Sequence, residues 1–147
     1  TLLHPKSRGV VSLSSSNPND IPIIQPNFFQ RKEDLDQLVK GGRFVFKLMN
    51  DKALKNHKLR DGLPLDRVSE DFLIEHIKKT LETVYHPVGT CKMGNDSLAV
   101  VSPLLKVHGI SNLRVVDASI MPKIISGNTN ACVYMIAEKA AYMILNK

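Results

Sequence analysis

Apolar residues recur at helical spacing over residues 33–50, where Leu35, Leu38, Val39, Val45, Phe46 and Met49 share one face. Glu33 and Asp34 suit the first turn, where the helix dipole favours negative charge. Gly41-Gly42 interrupts the pattern, and would weaken the helix or admit a close neighbour. The spacing predicts a second helix over 69–84. Ser69 is its natural N-cap, with Glu70 and Asp71 behind it and Lys78 and Lys79 late, where positive charge is favoured. Its apolar stripe is Leu73, Ile77, Leu81 and Val84. A third helix is predicted over 130–145. Val133, Ile136, Ala137, Ala140, Ala141 and Ile144 form one face, and Tyr134, Met135, Met143 and Leu145 leave little of the other polar. A helix apolar nearly all round needs cover on most sides, which points to a partner domain.

Strand signals lie between and before these helices. Residues 1–29 read as extended, with Val10-Val11-Ser12 inside a short β-prone run. Ser14 to Asp20 is a turn cluster, and its serines read as loop residues. Pro22 and Pro26 confine the segment around Ile23 to a sheet edge or an irregular path. Residues 51–67 are polar and carry Gly and Pro, so a loop is expected there, with His57 exposed. Residues 95–111 read as a connection marked by turn signals, and Leu113 to Val116 as a β-prone run ending at Asp117.

Composition narrows the class. The chain has 147 residues, 43% hydrophobic and 23% charged, which suits a soluble globular domain with its own core. Its net charge is +6, but the cations are scattered, apart from a modest cluster at Lys52, Lys55, Lys58 and Arg60. With few aromatic residues and no nucleic-acid module, a solvated basic face is the reading, and no nucleic-acid partner is expected. The two cysteines, Cys91 and Cys132, make no framework and no Cys-x-x-Cys pair; each reads as a buried free thiol. They leave the compartment undecided, and an extracellular setting is the expectation. The apolar stretch 131–145 is short and broken by Glu138 and Lys139, so no membrane span is expected. The chain opens on Thr1 and is read as a fragment. No group of residues has the spacing of a zinc site, and no metal is expected.

Candidate chemistry sits in three turns. His86, in Tyr85-His86-Pro87-Val88-Gly89-Thr90-Cys91-Lys92-Met93-Gly94, is pushed out of helical geometry by Pro87. An imidazole ordinarily titrates near 6.5, so it can accept a proton at neutral pH; the plainer alternative is a structural histidine bonded to backbone. Asp117, followed by Ala118, Ser119, Ile120, Met121 and Pro122, reads on its own as the former of an Asx turn. In Ser126-Gly127-Asn128-Thr129-Asn130-Ala131, Asn128 or Asn130 can cap the last helix, or one can cap while the other faces a ligand.

These three pieces, in this order and at these separations, resemble the C-terminal end of the glucose–methanol–choline (GMC) flavin oxidoreductases. The segment Leu3-His4-Pro5-Lys6-Ser7-Arg8-Gly9 through Pro26-Asn27-Phe28 resembles the opening of that family's C-terminal region. The nearest relatives in kind are the glucose dehydrogenase-like and choline dehydrogenase-like members. The resemblance implies an α+β fold: an antiparallel sheet backed by helices, with a terminal strand and helix that complete a flavin-binding α/β domain. Residues 1–111 would then belong to the substrate-side domain and 112–147 to the FAD-binding domain.

The implied activity is oxidation of a small-molecule alcohol with FAD as cofactor and oxygen or a quinone as electron acceptor. His86 resembles the catalytic base, taking the hydroxyl proton while hydride passes to flavin N5. Asn128 matches the position of the second residue facing the substrate oxygen; its amide can donate but cannot act as a base. Asp117, Ala118, Asn128, Thr129 and Asn130 match positions near the flavin, and the N-terminus of the last helix would favour negative charge on the reduced ring. The family's Gly-x-Gly-x-x-Gly turn is absent from the chain, so the adenine–pyrophosphate cradle would come from a missing N-terminal part of the same protein. Alone, the chain is expected to bind FAD poorly and not to turn over. The competing expectation is a binding or structural module that keeps the GMC-like shape without catalysis.

Overall fold

The computed structural model describes residues 1–57 and 68–146. Lys58 and Arg60 of the basic cluster, and most of the loop expected over 51–67, fall outside the described residues. The chain divides into two compact units: Thr1–Gly9 with Gln25–Glu82, and Val10–Ile24 with Thr83–Lys147. Residues 83–111 therefore group with 112–147 by contact.

The first unit is built on two helices, α1 (Lys32–Met49) and α2 (Glu70–Thr80), with a 3-10 helix at Lys52–His57 where a loop was expected. His57 is exposed, as expected. The Ser69 hydroxyl accepts from the Phe72 N–H at 3.1 Å, the cap that the sequence implies. The helix α2 stops four residues short of the predicted end, at Leu81, which turns extended (φ −62°, ψ 126°). Thr83 and Val84 are β-branched and poor helix formers, and Pro87 biases its approach to extended geometry. Val84 accordingly ends half exposed and leaves the apolar stripe. The two glycines of α1 differ in use. A Cβ on Gly42 would stand 3.2 Å from Leu73 Cδ2, whereas one on Gly41 would meet nothing within 4 Å. Gly42 thus lets α1 close on α2 over Leu73, which is 2% exposed.

Asp34 does more than complement the α1 dipole. Its carboxylate is buried and accepts the N–H groups of Lys6 (2.8 Å) and Ser7 (2.8 Å). Burial pushes its pKa up, but the hydrogen bonds from Lys6 and Ser7 outweigh that and hold it below the ordinary value. The Ser7 hydroxyl in turn accepts the Arg31 N–H at 3.1 Å, so the N-terminal segment is fastened to the start of α1 from both sides.

In the second unit, β1 (Val10–Ser12) and β2 (Ile23–Gln25) form a two-stranded antiparallel sheet; Gln25, the last residue of β2, is grouped with the first unit. The serine-rich turn joining them is tied by its own side chains: Ser14 Oγ donates to the Ile21 carbonyl at 2.7 Å and Ser15 Oγ to Asp20 at 2.6 Å. This confirms the loop reading of those serines. The core of the unit gathers Val101, Leu105, Ile120, Met121, Ile136 and Ala140. Val101 is 0% exposed, so the stretch read as a mere connection is the best-buried part of the unit. Isolated bridges join Met93 to Val101, Val101 to Val107 and Lys106 to Arg114. The run Leu113–Val116 takes part through that last bridge, flanked by Val107 N–H to Leu113 and Val115 N–H to Leu105, and forms no longer ladder. The final helix, α3 (Asn130–Leu145), has its expected bounds and buries Ile136 and Ala140.

Candidate active site

His86 lies six residues beyond the end of α2, on a bend where Tyr85 adopts a left-handed backbone (φ 58°). The imidazole is half-buried and makes no hydrogen bond among the described residues, so the structural-histidine alternative lacks its backbone partner. Downstream, the loop is gripped by main-chain bonds. The Cys91 N–H donates to the Ser119 carbonyl at 3.0 Å and the Met93 N–H to the Ile120 carbonyl at 2.8 Å. Gly89 has φ +87°, and a Cβ there would stand 3.2 Å from the Met121 carbonyl oxygen. Only glycine meets both demands, a left-handed backbone and close approach to another chain segment.

The turn that receives this loop begins at Asp117. Its side chain accepts the Ser119 N–H at 2.8 Å and the Ser119 hydroxyl at 2.5 Å, capping a 3-10 turn at Ala118–Ile120. This is the Asx turn that the residue's type suggests without any family comparison. Ala118 is half-buried against the core. Ile120 and Met121 are 3% and 7% exposed, so the turn is fastened to the core from below.

Thr129 is the N-cap residue of α3 and is 8% exposed, but its side chain makes no cap hydrogen bond. Asn128 and Asn130 are exposed, and neither side chain is hydrogen-bonded among the described residues. Asn128 therefore does not cap the helix. The first turn of α3 carries no acidic residue. Its N–H groups and positive dipole end are thus offered without a side-chain acceptor. No hydrogen bond links His86 to Asn128 among the described residues; the loop, the Asp117 turn and the start of α3 belong to one unit.

Charges nearby are spent on structure. Lys92 pairs with Asp96 at 2.8 Å, and this hydrogen bond, with that of the Leu98 N–H, draws the Asp96 pKa down. The His108 ring meets the Gly94 carbonyl at 3.1 Å. No cluster of His, Cys, Asp and Glu fit for a metal occurs among the described residues. Cys91 and Cys132 are free and half-buried. No helix is long and apolar enough to cross a membrane among the described residues.

A family model for GMC oxidoreductase matches residues 5–137. The chain belongs to the GMC oxidoreductase family. It is 45% identical over 146 residues to an alcohol dehydrogenase [acceptor] of Pseudomonas putida, covering 99% of this chain and 26% of that protein. An oxygen-dependent choline dehydrogenase of Escherichia coli is 42% identical over 142 residues, covering 96% of this chain and 25% of the relative. Among solved structures, pyridoxine 4-oxidase from Mesorbium loti superposes with a TM-score of 0.87 at 34% identity, covering 99% of this chain and 28% of that one. A variant of formate oxidase from Aspergillus oryzae, solved for the effect of a mutation on FAD modification, gives 0.79 at 34% identity, covering 95% of this chain and 25% of that one. The chain spans about a quarter of the length of these relatives. The α+β fold expected from the sequence is the fold of this GMC region.

The sequence reading missed two features of the site. Gly89 was legible in principle, because a glycine inside a turn motif signals positive φ. The grip of Ser119 and Ile120 on Cys91 and Met93 joins segments far apart in the chain and leaves no local pattern.

Proposed function

We propose that this chain is the C-terminal part of an FAD-dependent oxidoreductase acting on the CH–OH group of an alcohol, with His86 as the base. The observation that carries this reading is the pair of main-chain bonds from Cys91 and Met93 to Ser119 and Ile120. They hold a loop bearing a half-buried imidazole, without a hydrogen bond among the described residues, against the Asp117–Met121 turn, in the same unit as the open N-terminus of α3.

The residues present suit the ring end of a flavin. The start of α3 offers N–H donors and the positive end of a dipole, with no acid in its first turn. Ala118, Thr129 and Asn130 would supply contacts there, with Asp117 shaping the turn. FAD, when bound, supplies the two-electron acceptor for the hydride. His86 accepts the hydroxyl proton at a ring nitrogen as the hydride leaves the same carbon. The Asn128 amide donates to that oxygen and stabilises its developing charge without competing for the proton. The 147 residues carry no Gly-x-Gly-x-x-Gly turn, so on this reading the nucleotide cradle would come from the remainder of the protein.

The test is anaerobic mixing of the FAD-loaded full-length protein with a panel containing choline, pyridoxine and aliphatic and aryl alcohols. Bleaching of the flavin by a member of the panel is expected, and re-oxidation by oxygen or a quinone then names the acceptor. A loaded flavin that no alcohol reduces counts against the reading and favours a binding module.

A further inference from the structure

We propose that Asp117 is a positioning residue for His86, acting through the turn it closes and not through its charge; this rests on the assignment of His86 as the base. The carboxylate is exposed, and its Oδ1 takes both hydrogen bonds of Ser119, one from the backbone and one from the hydroxyl. Those bonds close the Ala118–Ile120 turn, with the Ile120 N–H donating to the Asp117 carbonyl at 3.3 Å and the Met121 N–H to the Ala118 carbonyl at 3.2 Å. Three consecutive carbonyls of this turn then meet the His86 loop. Ser119 takes Cys91, Ile120 takes Met93, and Met121 lies against Gly89, where a Cβ would come within 3.2 Å.

The arrangement is a clasp with one side chain at its hinge. Ile120 and Met121 are held by the core. On the opposite side of the turn, Ala118 packs against the core and the Asp117 carboxylate makes the side-chain hydrogen bonds that close it. Removing the carboxylate oxygen frees the Ser119 N–H and lets the peptide units around Ser119, whose carbonyl holds Cys91, shift. The loop between Gly89 and Met93 follows them, and His86 moves with it. A displacement of about 1 Å at a reacting group costs on the order of a hundredfold in rate. Any short side chain with an acceptor oxygen can close such a turn, so asparagine serves as well as aspartate.

The experiment is a double-mutant cycle on the FAD-loaded full-length protein, read as the limiting rate of anaerobic flavin reduction by its alcohol and as flavin content. Asp117→Asn is expected within about threefold of wild type, and Asp117→Ala to lose ~10–100-fold with flavin retained. In a His86→Ala background, Asp117→Ala is expected to add less than about twofold, because a residue acting through His86 has nothing left to position. Asp117→Ser, which closes the turn through a hydroxyl, should stay near wild type; if Asp117→Ala does not accumulate, Asp117→Val, likewise without an acceptor oxygen, takes its place in the cycle.

The proposal falls if Asn loses as much as Ala, if the double variant shows the product of the two single losses, or if both Asp117 variants lose flavin. A His86→Ala variant as fast as wild type sinks the base assignment itself, and this proposal with it. A large His86→Ala loss with an additive double variant sinks only the role of Asp117.

Discussion

Gly89 and Gly109 both have positive φ, yet they answer to different demands. Gly89, at φ +87°, also faces the Met121 carbonyl, whereas Gly109, at φ +76°, has nothing within 4 Å of a built Cβ. An alanine at Gly109 should cost only the backbone penalty, about 1–2 kcal/mol. At Gly89 it adds contact with a main-chain oxygen that the core prevents from yielding. Gly89→Ala is therefore predicted to slow flavin reduction by more than tenfold, on the scale of ~10² for a displaced reacting group, while Gly109→Ala leaves it within about twofold. Equal losses in the two variants would show that conformation alone, and not the approach to Met121, is what Gly89 supplies.

At the scale of elements, α1 offers two contrasts. Gly41→Ala fills open space inside a helix and should stabilise α1 by about 0.5–1 kcal/mol. Gly42→Ala presses on buried Leu73 and should destabilise the α1–α2 pair by about 1–3 kcal/mol. Hydrogen exchange over α1 reads both: slower for the first, faster for the second. Asp34 fastens the Lys6–Ser7 segment, and Asp34→Asn leaves one of those amides facing an NH2 group, at a cost of about 1–3 kcal/mol. Exchange at residues 5–8 should rise in that variant. Because the folded-state pKa of Asp34 lies below its unfolded value, its contribution is complete above about pH 3.9 and is lost as pH falls through the folded value. Wild type should loosen at residues 5–8 in that acid range, and Asp34→Asn should show no such step.

Local chemistry explains which elements the sequence revealed. Ser69 with Glu70 and Asp71 announces α2, and the apolar run after Asn130 announces α3. The Asx turn at Asp117 follows from residue type. The C-terminus of α2 was misjudged because its stripe of Leu81 and Val84 fits helical spacing, while the β-branched pair and Pro87 oppose it. Asp34 looked like a dipole residue because its partners, Lys6 and Ser7, lie 28 and 27 residues away. Residues 95–111 looked like a connection because turn signals hide the burial of Val101 and Leu105, which goes with the pairing of Val101 to Met93 and Val107 and the Val115 N–H bond to the Leu105 carbonyl.

On the scale of the whole molecule, α3 exposes Tyr134 (68%), Met135 (60%) and Leu145 (82%) while burying Ile136 and Ala140. One face of the helix is packed within this chain, and the other would suit cover by the remainder of the protein proposed above. The chain holds the proposed base His86, the Asn128 amide and the open end of α3, but no Gly-x-Gly-x-x-Gly turn. The isolated 147 residues, titrated with FAD, should accordingly show no tight binding and no turnover; tight binding would place the cofactor's anchor in this chain. The central claim is that His86 removes the hydroxyl proton. It is tested most directly by the single-turnover rate of anaerobic flavin reduction in His86→Ala of the FAD-loaded full-length protein, with the alcohol that reduces wild type. The account predicts a loss of ~10²–10⁴-fold with flavin content unchanged. A variant reduced within a few-fold of the wild-type rate contradicts it.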